Sequence, residues 1–382
     1  MRNIILLAIM PCSCALTFSE VTTKLHQHPK MQALAEAQTA QDFQSEIASA
    51  WQDPELQVSS AQIKTAPKNF KIGIMQRIPL TNKHKYLRQQ ASSATLYYQR
   101  LAQHRQLQYQ LWQTLITLRK LAATKTILQN NRDWTQKALA VSKRLYANGK
   151  IDQRALLDID LRRAELDSDL HALEHKVKAQ QAILAYLCGD EVKAITAVPW
   201  QLLEQTTDPS ADYQEFSMQA RIEQTTAAVK ATSLARIPDL KLSSSYTQMN
   251  GMPMLAVMIA MPIPISKKHN AHLQKYRAQL AQARAALTDY RKLKASKLKQ
   301  TKASQASIIG QLQILRTDML RLATDAKHLA FVAYKLARLT YRELLAAELK
   351  LQSIQLQRLQ LQATLANQQL QYKYVNGERL YD

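Results

Sequence analysis

The stretch IPLTNKHK at 78–85 returns almost unchanged as IPISKKHN at 263–270, an offset of 185 residues. Eight residues can recur by chance, so the flanks decide. Upstream, WQDPELQVSS (51–60) faces ARIPDLKLSS (235–244), which sets Pro54 against Pro238. Downstream, YANGKIDQRALLDIDL (146–161) faces YKLARLTYRELLAAEL (334–349). Three anchors at nearly one offset define an internal repeat whose period is far too long for a solenoid. The chain reads as two copies of a half-protein, 16–200 and 201–382.

Breaker placement sets the fold class. The chain has 382 residues, six Gly and eleven Pro, with no Pro between Pro79 and Pro199 and none after Pro264. Proline interrupts helices, and glycine weakens or caps them. Each half therefore carries long helices, and the breakers gather in 54–79 and 238–264. In FKIGIMQRI (70–78) the period is two: Phe70, Ile72, Ile74 and Ile78 share one face, with Gln76 the exception. Lys71, Gly73, Met75 and Arg77 share the other. ELQVSSAQI (55–63) is the partner strand across KTAPKN. In the second half DLKLSSSYT (239–247) and MLAVMIAMPI (254–263) form a matching pair around QMNGMP.

The expected elements follow. The first repeat has strands at about 55–63 and 70–79, then helices over 81–147 and 150–188. The second has strands at about 239–247 and 254–264, then helices over 266–336 and 338–376. Leu87, Ala94, Tyr98, Leu101, Trp112, Leu115 and Ala122 form a coiled-coil-like seam, as do Ile159, Leu166, Leu170, Leu173, Val177 and Leu184. A helix from Thr81 to Tyr146 would be ~100 Å long. Proline ends the strand at each junction, and Thr81 or Ser266 is expected to cap the incoming helix. The strands have the length of membrane-crossing β-strands. Four strands cannot close a barrel and their edges cannot face lipid, so a membrane-spanning form requires several chains to pool them.

The start, MRNIILLAIMPCSCALTFSE, has one Arg, a short apolar run and small residues, the pattern of a secretory signal peptide spanning 1–15. A rival reading places lipid on Cys12 or Cys14, although Pro11 fits a lipoprotein signal badly. Without 1–15, Cys188 is the only cysteine and no intrachain disulfide is available. The formal charge is +22. It is spread along helices, as in 267–302, with no zinc-finger spacing or compact recognition module, which reads as a solvated helix surface. No nucleophile elbow, phosphate loop or Cys-x-x-Cys pair is present, so an enzyme is not expected, nor a cofactor. HALEH (171–175) puts His171 and His175 one turn apart, the one weak candidate for metal, with no third ligand apparent.

This arrangement resembles the outer-membrane efflux factor family, the TolC-like proteins of Gram-negative bacteria. The residues carrying it are LTFSEVTTKLHQHPKMQALAEAQ (16–38), IPDLKLSSSY (237–246) with VMIAMPIPI (257–265), and RLYANGKIDQRALLDIDLRRAELDSDLHALEHKVKAQQAILAYLCG (144–189). The resemblance implies a mainly α chain with a small β part. Four strands per protomer would join a trimeric transmembrane β-barrel, and the coiled-coil hairpins a long α-helical barrel. It implies a bacterial outer-membrane protein extending into the periplasm. As a homotrimer in outer-membrane lipid, it would dock a periplasmic adaptor (membrane fusion) protein and, through it, an inner-membrane transporter. Its function would be the exit duct of a tripartite efflux or secretion system, with no nucleic-acid partner. The alternative is a secreted soluble coiled-coil scaffold whose basic surface binds an anionic partner such as nucleic acid.

The resemblance also assigns roles. Asp152, Asp158 and Glu343, balanced by Arg154 and Arg342, would form a periplasmic gate, with Ala155 and Ala346 at positions where the family usually has acids. The turns holding Tyr146, Asn148 and Gly149, and Tyr334, Ala337 and Arg338, would touch the adaptor. Ala337 stands where the family usually has Gly. By the strand alternation rather than the resemblance, Lys71 and Arg77 would face the barrel lumen, since charge on a lipid face is costly.

Overall fold

The structure, a computed structural model, describes residues 24–61, 69–188, 211–249, 252–262, 267–378 and 380. The signal-peptide segment 1–15 and Ser266 lie outside these residues. The chain divides into two compact units. One comprises 30–102 and 212–293, and the other comprises the residues up to 29, 103–211 and 294–382. Each unit thus draws on both halves of the sequence.

The first unit holds helix α1 (Pro29–Ser49), strands β1 (Glu55–Ala61) and β2 (Asn69–Ile78), helix α2 (Lys83–Gln90), helix α5 (Tyr213–Leu234), and strands β3 (Leu240–Met249) and β4 (Met252–Ala260). Pro29 opens α1, a position where its missing N–H costs nothing. The four strands form one antiparallel sheet in the order β1-β2-β3-β4. Ile72 pairs with Val58 and Tyr246, and Ile74 with Leu56 and Ser244. Gly73 lies directly opposite Ser245, and a Cβ added to it would stand 2.9 Å from the Ser245 Cβ and 3.0 Å from the Ser244 carbonyl oxygen. The close approach of β2 to β3 therefore requires glycine.

The helix expected over 81–147 is two helices, α2 and α3 (Ala94–Ala147). The local cause is Ser92, whose side chain competes for a backbone partner. The Ala91 N–H closes α2 on Leu87 O at 3.0 Å, and Ser92 Oγ accepts the Ala94 N–H at 3.2 Å. Helix α5 holds the break open from outside: the Gln224 amide donates to Ser92 O, and Thr95 Oγ1 donates to Gln224 Oε1 at 2.9 Å. The Thr81 cap is also corrected. Helix α2 starts at Lys83, its N-cap is Asn82 with no side-chain bond, and the Thr81 hydroxyl is buried without a partner. Lys83 instead pairs with Asp239, which ties the start of α2 to the entry of β3.

The second unit is built from helices α3, α4 (Gln153–Cys188), α6 (Lys268–Ile314), α7 (Leu320–Lys335) and α8 (Tyr341–Asn376), of which the first parts of α3 and α6 belong to the first unit. At 54 residues α3 alone is ~80 Å long. The expected helix over 266–336 is interrupted by a π-helical segment, Leu315–Met319, between α6 and α7. Its Leu315 packs with Ala323, Leu351 and Ile354, so the extra residue keeps the seam against α8. Leu128, Leu166 and Leu173 join α3 to α4. The far end of α8 is closed by Gly377 at φ +90° and by Arg105, whose guanidinium donates to Lys373 O at 2.9 Å and Glu378 O at 2.7 Å. No helix among the described residues is long and apolar enough to cross a membrane.

Candidate functional site: a two-faced sheet and a four-helix end

The sheet is inverted relative to a water-soluble one. Residues paired across strands share a face. Leu56, Val58, Phe70, Ile72, Ile74, Leu242, Tyr246, Leu255, Val257 and Ile259 therefore make one apolar band, interrupted by Gln76 and Ser244 and bordered by Ser60 and Gln248 beside Phe70. That band is exposed, with Leu255 76% and Leu56 67% accessible. The opposite face carries Gln57, Lys71, Gly73, Arg77, Lys241, Ser243, Ser245 and Thr247, of which those on β2 and β3 are half-buried or buried. Lys71 and Arg77 both lie opposite the apolar face in this register. Such a sheet is suited to a surround of hydrocarbon on one side and water on the other.

The two helical turns share their backbone chemistry. The Lys150 N–H bonds Leu145 O at 2.9 Å, and the Arg338 N–H bonds Ala333 O at 2.9 Å, each closing a helix through a left-handed residue. Those residues are Gly149 at φ +65° and Ala337 at φ +54°. The next helices are capped at equivalent positions. Asp152 Oδ1 accepts the Ala155 N–H at 3.0 Å, and Thr340 forms a capping box with Glu343. Two hydrogen bonds from Thr340, backbone and hydroxyl, hold the Glu343 carboxyl below its usual range.

Below the turns, α3, α4, α7 and α8 meet around Leu139, Leu145, Ile159, Tyr334, Tyr341 and Leu344. Tyr334 is fully buried, and its hydroxyl lies 2.5 Å from Ser142 Oγ. Its side chain anchors the turn from within. Its counterpart Tyr146 is exposed, as are Asn148, Gly149, Ala337 and Arg338. Arg342 Nε lies 3.9 Å from Asp158 Oδ2, linking α8 to α4, while Asp152, Arg154 and Glu343 are exposed.

One group in this end escaped the sequence reading. Glu348 is fully buried, and neither carboxylate oxygen has a hydrogen-bond partner. Burial pushes its carboxyl up to about 7, against the opposing pull of Lys327 and Arg162. Arg162 is committed elsewhere, donating to Gln352 Oε1 at 2.6 Å and Glu165 Oε2 at 3.0 Å. Lys327, its own charge disfavoured by burial, stands 4.1 Å from the centre of the Trp134 ring. The missed signal was periodic: Tyr341, Leu344, Glu348 and Leu351 step by three and four, which places a carboxylate in the apolar seam. His171 and His175 touch, with Nε2 atoms 3.2 Å apart on an exposed face. No group of three or more metal-binding side chains occurs among the described residues. Cys188 is buried, which pushes its thiol up to about 11.

No family profile matches the chain, and no curated protein matches it by sequence. Solved structures do. VceC, an outer membrane protein of Vibrio cholerae, is 15% identical with a TM-score of 0.79 over 95% of this chain and 96% of its own. A membrane protein from Pseudomonas aeruginosa is 13% identical with a TM-score of 0.81 over 94% and 93%. The CmeC outer membrane channel of Campylobacter jejuni is 11% identical with a TM-score of 0.77 over 94% and 85%. At such identities the likeness is one of fold: the chain has the TolC-like fold of outer-membrane channels.

Proposed function

We propose that this protein is the outer-membrane exit duct of a tripartite efflux or secretion system. The observation that carries the reading is the sheet with an exposed apolar band on one face and every strand charge on the other. β1 and β4 are its open edges. Unpaired edges are not tolerated in lipid, so β1 of one copy pairs with β4 of the next and three copies close one barrel. Leu322, Leu329 and Leu336, exposed at steps of seven on and just after α7, supply an apolar stripe for packing between copies. The two halves of the sequence act as structural repeats, each contributing one hairpin and one pair of long helices. The exposed turns at Asn148 and Arg338 meet the adaptor. The acids and arginines around Asp158 and Arg342 form the gate.

Site-directed labelling tests the register. Single cysteines at Ile72 and Ile74 should react with lipid-phase probes, and those at Lys71 and Arg77 with aqueous ones. The reverse labelling overturns the barrel. Cross-linkers at Asn148 and Arg338 should capture the adaptor when one at Trp112 does not, and equal capture from all three removes the assignment of the turns.

A further inference from the structure

The strands β1 to β4 contain four charged residues, Glu55, Lys71, Arg77 and Lys241. The register sets all four on the face opposite the apolar band. Three are cations, and two of these, Arg77 and Lys241, stand directly opposite each other across the ladder. Like charges in that relation destabilise a strand pair, so folding alone does not account for them. Glu55 offsets one of the pair, with an oxygen 3.7 Å from an Arg77 guanidinium nitrogen. The strands hold no second carboxylate to offset Lys241. Arg77 Nε is buried and donates no hydrogen bond. Lys71 sits six residues from Arg77 on the same strand, ~20 Å along it, opposite Thr247. Positive charge therefore recurs along the length of the strand, among Gln57, Ser59, Ser243, Ser245 and Thr247, all able to donate hydrogen bonds.

We infer that the polar face of this sheet selects for anions, so that the duct passes negatively charged solutes in preference to cations. The inference rests on the proposal that three copies close a barrel with this face inward. Each copy then lines the lumen with three cations against one carboxylate, and the low-dielectric wall focuses their field on the pore. Screening sets the working range. The field extends ~30 Å at 0.01 M salt and only ~3 Å at 1 M, so selectivity belongs to low ionic strength.

The test uses the full-length protein, purified in detergent and inserted into planar bilayers, with reversal potentials read across a potassium chloride gradient at low salt. Chloride should permeate several-fold better than potassium, and the preference should fade in concentrated salt. Lys71→Gln and Lys241→Gln should each lower the chloride-to-potassium ratio, and together bring it to one or below. Lys241→Arg should keep it, which separates loss of charge from loss of structure. Channels that are non-selective or cation-selective, or whose ratio is unmoved by the glutamine variants, overturn the inference and leave the duct standing. An absence of channels overturns the duct itself and the inference with it.

Discussion

Ser142 near the end of α3 and Tyr334 near the end of α7 share a buried hydrogen bond of 2.5 Å, joining the two hairpins inside the four-helix end. Ser142 Oγ also donates to Ala138 O at 2.8 Å. A hydroxyl has one proton, so the tyrosine is the donor to the serine. The two partners are therefore unequal. Tyr334→Phe leaves Ser142 its backbone bond and should cost about 1 kcal/mol. Ser142→Ala strands a phenol in an apolar site and should cost about 1–3 kcal/mol. Urea unfolding of the two variants checks the order, and a costlier Tyr334→Phe would show that the serine is the donor.

Ala337 holds a left-handed backbone at φ +54° in the turn where the other hairpin has Gly149. A side chain in that region costs roughly 1–2 kcal/mol. Ala337→Gly should raise stability by about 1 kcal/mol, and Gly149→Ala should lower it by a similar amount. Nothing lies within 4 Å of a Cβ added to Gly149, so the loss there reports backbone strain alone. Equal midpoints for wild type and Ala337→Gly in thermal unfolding would remove the strain.

Legibility followed periodicity. The strand β2 was plain because Phe70, Ile72 and Ile74 alternate with Lys71, Gly73 and Met75, and the pairing preserves that alternation. β4 is apolar at every position but one proline, so only its partner β3 tells its two faces apart. The break at 91–93 was only half legible, since the Ser92 hydroxyl that takes the Ala94 N–H is backed by a hydrogen bond from Gln224, over a hundred residues away. The π-helical segment LRTDM carries no breaker residue to betray it. Tyr146 and Tyr334 occupy matching sequence positions yet differ completely in burial, because Ser142 and Tyr341 approach only Tyr334 in the described contacts. Glu348 was passed over because a helix full of polar residues masks one polar residue on the wrong face.

The Asp158–Arg342 pair at 3.9 Å belongs to the proposed gate, with Arg154 exposed on the same helix as Asp158. Both partners are solvent-accessible, so the pair contributes only about 0.2–1 kcal/mol. If this end has a closed and a dilated arrangement, that energy changes the open population up to about five-fold. Arg154→Ala combined with Arg342→Ala should raise single-channel conductance or open time in a planar bilayer. Unchanged conductance from an intact trimer would reduce these charges to ordinary solvated helix surface.

Glu348 is expected to make the four-helix end sensitive to pH. Its carboxyl is pushed from 4.5 up to about 7 by burial, with Lys327 and Arg162 pulling down. Tyr341, whose hydroxyl is also buried without a partner, adds no hydrogen bond. An acid with a raised folded pKa holds its proton more tightly when folded than when unfolded. Stability is therefore greatest below 4.5 and falls as pH rises through about 7, after which the slope ends. The full change is on the order of 3 kcal/mol, at 1.36 kcal/mol per unit. Other groups titrate in the same range, so the comparison with Glu348→Gln is decisive. The neutral isostere should match wild type at pH 4 and exceed it at pH 8, with a flatter profile between. Thermal unfolding midpoints across that range provide the measurement. Parallel profiles for the two proteins would mean that Glu348 is already ionised and satisfied in the folded state, with Lys327 the nearest cation to supply the partner.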